Sequence, residues 1–437
     1  MPIPLVVIVG RPNVGKSTLF NRLTKSKDSI VHDSSGVTRD RISGEVIWNG
    51  KQFRLMDTGG YVTESTDKFE LAIKEQVEIA IDEADALLFV VDGRTGITAL
   101  DSEVAELLRK TKKPTFVLVN KADTAKFEND KLEFYEFGLE NVYDVSALNG
   151  RNTGDILDDL VKVLNFPEED SEEDSRLKIA MLGKPNVGKS SLTNALLGYD
   201  RSIVTDIPGT TRDSLDSVLK YYGEEIVLVD TAGLRKRTKV KENIEFYSNV
   251  RTWRALSKCD VAIIMLDAQA GLENQDQKII DEAVRRRKAI ILAVNKWDLI
   301  GKETNTAKEF SEEILDKLGT NAYFPIIFIS ALTKQRVFKL IDLAKELYNE
   351  RLKKIPTSTL NEVLLEEIQR NQPPATKRGK EIKIKYVTQV GEKYPIFLFF
   401  TSNSKEMPEH YRRFLERKIR EHFGFKGVPI TVSFKEK

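Results

Sequence analysis

Two segments of the sequence combine glycines with a lysine and a serine at fixed spacing. Residues 10–17 and 183–190 both read Gly-x-x-x-x-Gly-Lys-Ser, and each follows a short apolar run. Glycines let backbone N–H groups curl around an anion, and a helix start adds a positive end. The lysine can reach the outer phosphates and the serine can hold Mg²⁺, so the pattern predicts two phosphate-binding loops. They consist of Gly10, Arg11, Pro12, Asn13, Val14, Gly15, Lys16 and Ser17 and of Gly183, Lys184, Pro185, Asn186, Val187, Gly188, Lys189 and Ser190.

An aspartate with a glycine three residues later ends a strand-like run in each half of the chain. Asp57 precedes Gly60 in this way, and Asp230 precedes Gly233. At a fixed distance after a phosphate loop, such an aspartate can hold Mg²⁺ through water, and the glycine can donate its N–H group to a γ-phosphate. We therefore expect each aspartate to share a Mg²⁺ ion with the serine of its own phosphate loop.

A third motif, Asn-Lys-x-Asp, follows a later apolar run in each half. A carboxylate at this place can accept two N–H donors from the Watson–Crick edge of guanine, whereas adenine would leave it unpaired. The motif therefore predicts GTP rather than ATP. A Ser-Ala dipeptide further along would offer backbone N–H groups to the guanine oxygen. The predicted base-binding residues are Asn120, Lys121, Asp123, Ser146 and Ala147 in the first half, and Asn295, Lys296, Asp298, Ser330 and Ala331 in the second.

The motifs recur in the same order, so the chain contains an internal repeat. The offset is 173 residues for the phosphate loops and 175 for the Asn-Lys-x-Asp segments. That period is far too long for a solenoid unit, which makes each copy a complete domain. Apolar strand-like runs alternate with helical stretches, and this predicts a doubly wound α/β fold with a mostly parallel sheet in each copy. We expect domains at 1–165, 176–354 and 355–437, with an acidic linker at 166–175.

The net charge of +1 hides a gradient along the chain. Residues 351–437 carry 19 Lys and Arg against 10 Asp and Glu, and residues 1–350 carry 49 against 57. The tail is therefore +9 and the body −8. A basic tail suggests a polyanionic partner such as RNA, although a Lys-rich solvated surface would have the same composition. The tail is predicted to be a small α+β domain with the order helix, strand, strand, helix, strand.

Composition excludes several classes of protein. Hydrophobic residues make up 41% and charged residues 31%, as expected for packed domains rather than a disordered chain. The single cysteine, Cys259, excludes an internal disulfide framework. No apolar run approaches the roughly 20 residues that span a bilayer. The first residues lack a basic stretch and a cleavage site, so we expect no signal peptide and a cytoplasmic protein with no membrane partner. We also expect the chain to be a monomer.

The ordered motifs of residues 5–350 resemble those of the translation-factor branch of P-loop GTPases. Two such domains followed by a small α/β domain look like the bacterial double-Era-like GTPase family called Der or EngA. The segments Lys380–Tyr386 and Phe423–Pro429 are also similar to that family. The resemblance implies a KH-like third domain and GTP hydrolysis. It also implies a role in assembly of the large ribosomal subunit, with that subunit or its precursor and ribosomal RNA as partners.

By the same resemblance, Thr38 and Thr211 are switch threonines that ligate Mg²⁺ in the GTP state. The resemblance thus completes the set of groups expected to act on the transferred phosphate. That set is Lys16, Thr38 and Gly60 in the first copy, and Lys189, Thr211 and Gly233 in the second.

Both copies depart from Ras-like chemistry at the residue after the Asp-x-x-Gly motif. Ras-like enzymes place there a glutamine that orients the attacking water, but this chain has Tyr61 and Leu234. Neither residue can polarise water as glutamine does, so we expect slow intrinsic hydrolysis. In related GTPases the asparagine that matches Asn13 and Asn186 helps to bind K⁺. K⁺ is therefore a candidate substitute catalyst, and the alternative is that this asparagine only braces the loop.

Two further segments bear on a nucleic-acid partner. Residues 235–241 contain five basic residues where the matching segment of the first copy contains one, which suits contact with RNA or another domain, or else a solvated loop. Residues 424–427 read Gly-Phe-Lys-Gly, like the loop by which KH modules clamp RNA. This loop lies between a helix and a strand instead of joining two helices, so we reject it as a clamp.

Two other functional classes remain as alternatives. A tRNA-modifying GTPase would usually carry an added folate-binding or cysteine-bearing domain. A membrane-remodelling GTPase would need an amphipathic or spanning segment. The sequence favours a ribosome-directed GTPase over both.

Overall fold

The computed structural model describes residues 3–24, 43–58, 77–78, 80–122, 130–166, 175–198, 205–206, 216–231, 244–301, 305–375 and 379–436. The chain divides into two compact units. One comprises residues 1–173 with 238–251, and the other comprises residues 174–237 with 252–437.

The first unit contains a six-stranded, mostly parallel sheet. Its strands are β1 (Leu5–Val9), β2 (Ser43–Trp48), β3 (Lys51–Asp57), β4 (Ala86–Asp92), β5 (Thr115–Asn120) and β6 (Asn141–Asp144), and its helices are α1 (Lys16–Thr24), α2 (Ala99–Arg109) and α3 (Thr153–Val163). The strand order is β2-β3-β1-β4-β5-β6, and β2 alone among these pairs antiparallel. Strands β1 and β4 are buried along their whole length, which is why they read as continuous apolar runs.

The second copy of the motifs lies on a sheet of the same kind. Its elements are β7 (Leu177–Leu182), α4 (Lys189–Leu197), β8 (Thr205–Asp206), β9 (Ser217–Tyr221), β10 (Glu224–Val229), α5 (Ile244–Lys258), β11 (Val261–Asp267), α6 (Asn274–Arg285), β12 (Ala289–Asn295), α7 (Thr306–Leu318), β13 (Ile326–Phe328) and α8 (Val337–Leu352). The order is β13-β12-β11-β7-β10-β9-β8, with antiparallel pairing at β10-β9 and β9-β8. The doubly wound α/β prediction is confirmed for both copies.

The tail folds as a small α+β domain of two helices and a three-stranded sheet. It consists of α9 (Thr357–Arg370), β14 (Ile384–Val390), β15 (Ile396–Thr401), α10 (Glu409–Phe423) and β16 (Thr431–Glu436). The sheet order is β14-β15-β16, antiparallel between the first two strands and parallel between the last two. The predicted order of elements is confirmed.

The tail packs directly on the second nucleotide-binding half. Leu347 of α8 belongs to the same hydrophobic cluster as Phe425 and Val428 of the tail. The backbone of Gly427 makes two hydrogen bonds to that half. Its N–H donates to the Tyr323 carbonyl at 3.0 Å, and its carbonyl accepts from the Ile290 N–H at 2.8 Å. The two parts therefore share one core and form one compact unit.

This docking explains one difference from the predicted elements. The sequence pattern predicts a last strand at 428–434, but β16 begins only at Thr431. Residues 424–428 are occupied by the contact with the second half, and Pro429 has no N–H group to donate to a ladder. Residues 167–174 of the predicted acidic linker at 166–175 lie outside the described residues. No helix in the described ranges is both long and apolar enough to cross a bilayer.

Candidate nucleotide-binding sites

Both phosphate loops leave the carboxyl end of a central strand and open a helix. The first runs from β1 to α1 and the second from β7 to α4. The first glycine of each has a positive φ, +142° at Gly10 and +136° at Gly183. A Cβ atom on Gly10 would lie 2.3 Å from the Val90 carbonyl oxygen, and one on Gly183 would lie 2.5 Å from that of Met265. Only glycine fits where each loop passes the neighbouring strand so closely.

The lysine of each loop turns its ammonium group onto the loop itself. Lys16 Nζ donates to the Gly10 and Arg11 carbonyls, both at 2.8 Å. Lys189 Nζ donates to Gly183 and Lys184 at 2.7 and 2.6 Å. Burial lowers the pKa of both ammonium groups to about 8. Each loop therefore holds a cation whose charge is only partly compensated, as suits a site for a polyphosphate.

The serine and aspartate expected to share Mg²⁺ are in contact in the first copy. Ser17 Oγ donates to Asp57 Oδ2 at 2.6 Å, and Asp57 is buried at the end of β3. A hydroxyl beside a carboxylate is the oxygen donor set that Mg²⁺ takes when phosphates complete its shell, so these residues fit the ion. In the second copy Asp230 follows β10 with φ +58°, and its N–H donates to Asp216 Oδ1 at 2.8 Å.

The asparagine of each Asn-Lys-x-Asp motif ties two loops together. Asn120 Nδ2 donates to the Val14 carbonyl at 2.7 Å, and its Oδ1 accepts from the Ala147 N–H at 2.9 Å. Gly15 packs against this amide so closely that a Cβ atom would lie 2.2 Å from Nδ2. Asn120 therefore links the phosphate loop to the Ser-Ala loop.

The second copy repeats this arrangement. Asn295 donates to Val187 at 2.8 Å and accepts from the Ala331 N–H at 2.9 Å. Gly188 would again place a Cβ atom 2.2 Å from the amide nitrogen. The alanine N–H groups expected to face the guanine oxygen are thus donated to Asn120 and Asn295 here. Their donation to guanine stays a prediction.

The serines of the two Ser-Ala loops are buried. The Oγ atoms of Ser146 and Ser330 accept from the N–H groups of Asn149 and Thr333, both at 3.1 Å. The backbone N–H groups of the two serines donate to Arg151 and Gln335 at 3.3 and 3.2 Å. Both serines therefore stabilise the conformation of their loops through hydrogen bonds within the loop.

Each motif lysine is fixed by an aspartate that sequence reasoning missed. Lys121 Nζ donates to Asp92 Oδ2 at 2.5 Å and to the Asn13 carbonyl at 2.9 Å, and Lys296 Nζ donates to Asp267 Oδ2 at 2.5 Å. Asp92 and Asp267 end the equivalent strands β4 and β11. A signal was present, because the two aspartates recur at the same offset of 175 as the motif.

Two further aspartates that the sequence analysis did not predict pair with the second residue of each phosphate loop. Arg11 Nε lies 3.2 Å from Asp101 Oδ2, and Lys184 Nζ lies 3.2 Å from Asp276 Oδ2. Both aspartates are fully buried at the third position of a helix, where they also accept from the N-cap backbone. Burial raises the pKa of the Asp276 carboxyl. The two aspartates recur at an offset of 175, and their basic partners recur at 173.

Asp298 has the arrangement expected of a carboxylate that receives a base. Its Oδ1 atom is buried and has no hydrogen-bond partner among the described residues. A buried carboxylate oxygen without a donor costs free energy, and a ligand with N–H groups would remove that cost. The neighbouring Trp297 packs against Phe310 and Phe328, at centroid distances of 5.7 and 4.2 Å. It is therefore part of the core that holds the motif.

The loop asparagines expected to bind K⁺ are exposed and have left-handed backbones. The φ angles are +63° at Asn13 and +65° at Asn186. Several other predicted functional residues lie outside the described residues, and their roles stay predictions. These are Thr38, Gly60, Tyr61, Asp123, Thr211, Gly233, Leu234 and the basic segment 235–241.

Comparison with known proteins connects this geometry to a family. A family model described as a 50S ribosome-binding GTPase matches residues 5–121 and 178–296. A model for the C-terminal KH-domain-like region of EngA bacterial GTPase enzymes matches residues 354–435. The chain is 51% identical to GTPase Der of Chloroherpeton thalassium over 437 residues, which is 99% of this chain and 100% of that protein. It is 49% identical to GTPase Der of Porphyromonas gingivalis over 435 residues, which is 99% of each.

A solved structure shows a more distant likeness. Era in complex with MgGDPNP and nucleotides 1506–1542 of 16S ribosomal RNA is 22% identical, with a TM-score of 0.32. That match covers 76% of this chain and 92% of Era.

Proposed function

The chain belongs to the bacterial Der family of GTPases, and from that premise we propose that it is a GTP-controlled switch in assembly of the large ribosomal subunit. In this proposal the two sites set whether the chain binds ribosomal RNA or a pre-ribosomal particle. The first and second GTPase domains occupy 1–165 and 176–354, the linker 166–175, and the KH-like domain 355–437.

The observation that carries the nucleotide assignment is the shared bracing of the two sites. In both copies one asparagine joins the phosphate loop to the Ser-Ala loop, through Asn120 and Asn295. A base site and a phosphate site that are held at a fixed separation can bind both ends of one nucleotide without losing further conformational freedom. The unpartnered oxygen of Asp298 supports guanine as its base.

Different residues of the chain bind the phosphates and the Mg²⁺ ion. The ammonium groups of Lys16 and Lys189 leave the loop carbonyls and pair with the β- and γ-phosphate oxygens. Ser17 with Asp57, and Ser190 with Asp230, are the residues that would hold Mg²⁺. The ion would supply positive charge that stabilises the negative charge of the phosphates during transfer. The backbone N–H groups of the loops orient the chain of phosphates.

Hydrolysis is slow without a further cation, because neither Tyr61 nor Leu234 can orient water as glutamine does. We infer that K⁺ at Asn13 and Asn186 supplies the missing positive charge. The support is the exposed side chain and left-handed backbone of both residues at the mouth of the loop. Turnover should be faster in KCl than in NaCl at equal ionic strength, and Asn13→Ala with Asn186→Ala should remove the difference. Equal turnover of the unaltered chain in both salts would refute the role of K⁺.

The ribosomal partner is supported by the description of the matched family and by the +9 charge of the tail. Co-sedimentation with purified large subunits and their precursors tests it in three states: a non-hydrolysable GTP analogue, GDP and no nucleotide. We expect binding that changes with the nucleotide and falls with salt. Absence of binding in every state would count against the proposal and favour the tRNA-modifying class of GTPase.

A further inference from the structure

The Gly-Phe-Lys-Gly loop of the tail uses much of its backbone in contacts with the second GTPase domain. Gly427 uses both its N–H and its carbonyl on the second GTPase domain. Phe425 is buried, and its N–H donates to Glu350 Oε2 at 2.9 Å. These contacts engage groups that a KH loop would turn toward RNA, so the rest of the tail is the better place to look for an RNA-binding surface.

The two faces of the tail sheet differ in what covers them. Val387, Phe397, Phe399 and Val432 are buried on the inner face and belong to the hydrophobic core. Helices α9 and α10 contribute Leu364 and other buried side chains to the same core. Because side chains alternate along a strand, the residues between these positions form the outer face. None of those outer residues belongs to that core.

The outer face carries two aromatic rings and a lysine in one row. The strand register pairs Tyr386 with Phe400, and Phe400 with Lys435. The ring centroids of Tyr386 and Phe400 are 5.5 Å apart, and Tyr386 is 38% exposed. The other six register positions of this face are uncharged: Thr388, Leu398 and Ser433 in one row, and Val390, Ile396 and Thr431 in the next.

The charge of this face is positive. Lys385 is exposed beside Tyr386, at a register shift in β14 that adds one residue to the strand. Neither Lys385 nor Lys435 forms an ion pair with any part of the chain that the structure describes. The rings of Tyr386 and Phe400 are tilted by 44° to each other. Two ammonium groups without an ion pair beside these rings complement the phosphates and bases of an unpaired nucleic-acid strand.

We propose that the outer face of the tail sheet is a stacking platform for single-stranded RNA. Bases stack on Tyr386 and Phe400, while Lys385 and Lys435 pair with the flanking phosphates. The assignment rests on the proposed ribosomal function for the source of the RNA. It deepens that function by naming the surface and the unpaired state of the strand.

Fluorescence anisotropy of the full chain with a labelled oligoadenylate of about 12 nucleotides tests the platform. Tyr386→Leu combined with Phe400→Leu keeps apolar area but removes the π faces, so we expect affinity to fall about tenfold or more. Tyr386→Phe should bind like the unaltered chain. Lys435→Ala should lower affinity and reduce the salt slope by about one unit.

Tyr222→Leu is the matched control, since Tyr222 is an exposed tyrosine on the β9-β10 turn, outside the tail. It should leave RNA affinity unchanged. Unchanged affinity of the double leucine variant would overturn the platform, as would tighter binding of the unaltered chain to double-stranded RNA. Loss of subunit binding in the double variant without any loss of oligoadenylate binding would show that the face meets a protein instead.

The two proposals fail separately in this design. If the unaltered chain pellets with large subunits but the leucine variant binds oligoadenylate normally, the platform is wrong and the ribosomal function stands. If the unaltered chain pellets with no subunit in any nucleotide state, the ribosomal function is wrong, and the oligoadenylate titration still decides the platform.

Discussion

Asn120 Nδ2 lies 2.7 Å from the main-chain carbonyl oxygen of Val14, in the middle of the phosphate loop. The same side chain accepts the N–H of Ala147, so one buried amide connects the phosphate loop to the Ser-Ala loop, the two segments predicted to bind the nucleotide. The sequence motif predicts that this asparagine contacts the base. Its position gives it a different role, which is to hold the phosphate loop in register with the base-binding loop.

Removing this amide should weaken nucleotide binding in the affected site only. Asn120→Ala leaves a buried carbonyl and a buried N–H without partners, a cost of about 1–3 kcal/mol for each group. We expect GDP affinity at the first site to fall at least tenfold, measured with a fluorescent GDP on a chain whose second site is disabled by Lys189→Ala. Asn295→Ala with Lys16→Ala is the mirror experiment. Unaltered affinity in both would show that the bridge does not support the site.

Base preference at the second site should follow the Asp298 carboxylate. Asp298→Asn replaces an acceptor with a donor, so guanine loses its partner while xanthine, which has a carbonyl at the same ring position, gains one. We expect GTP affinity to fall by at least a factor of 100 and xanthosine triphosphate to become the better ligand. Competition titrations on a chain carrying Lys16→Ala measure this. Retained GTP preference would mean that Asp298 does not contact the base.

Nucleotide binding should take up protons near pH 8. Burial sets the pKa of Lys16 and Lys189 at about 8 in the free chain, and bound phosphates stabilise the charged form and raise it. Between that value and the higher pKa of the complex, binding is linked to protonation, so affinity falls as the pH rises above 8. Calorimetry at pH 8.5 in two buffers of different ionisation enthalpy should show net uptake, with much less at pH 6.5. Equal heats in both buffers at pH 8.5 would contradict the linkage.

The buried aspartate beneath Arg11 should contribute to the stability of the first domain. Asp101→Asn removes the charge that pairs with Arg11 Nε at 3.2 Å and leaves the guanidinium with a weaker partner. We expect a loss of about 1–3 kcal/mol and a lower thermal midpoint for the first domain. Glu103→Gln, on the exposed side of the same helix, is the control and should change little. Equal midpoints for the two variants would show that the Arg11–Asp101 pair is energetically neutral.

Docking of the tail should depend on the absence of a side chain at Gly427. A Cβ atom there would lie 2.5 Å from Leu347 Cδ2 and 2.9 Å from Pro325 Cδ. Gly379 provides a matched control, since its φ of +75° is close to the +72° of Gly427 and its Cβ position is open. Both alanine variants carry the same backbone strain, so the difference between their unfolding midpoints isolates the packing clash. We expect Gly427→Ala to be the less stable, and equal midpoints would refute the clash.

The sequence predicted the nucleotide-binding motifs but not the aspartates that hold them in place. The phosphate loops and base motifs were found because their residue types recur at fixed offsets after apolar strands. Asp92 and Asp101 were missed because a single carboxylate in a chain with 67 acidic residues has no distinctive local pattern. Their recurrence as Asp267 and Asp276 was a usable signal that only a residue-by-residue alignment of the two copies exposes.

The parts of the fold that were missed are short or depend on long-range contacts. Strand β6 reads Asn-Val-Tyr-Asp, which contains no apolar run long enough to predict a strand. The docking of Gly427 on Tyr323 joins residues about 100 positions apart. No local propensity encodes such a contact, which also displaced the start of β16.

In the proposed function, the nucleotides in the two braced sites control binding to the large ribosomal subunit. Titration of labelled chain with purified large subunits tests it directly, with a non-hydrolysable GTP analogue and with GDP, for the unaltered chain and for Lys16→Ala and Lys189→Ala. We predict that affinity differs between the two nucleotides by at least tenfold, and that each lysine variant reduces this difference. Equal affinity with both nucleotides, unaffected by either variant, would show that the nucleotides do not control binding to the subunit.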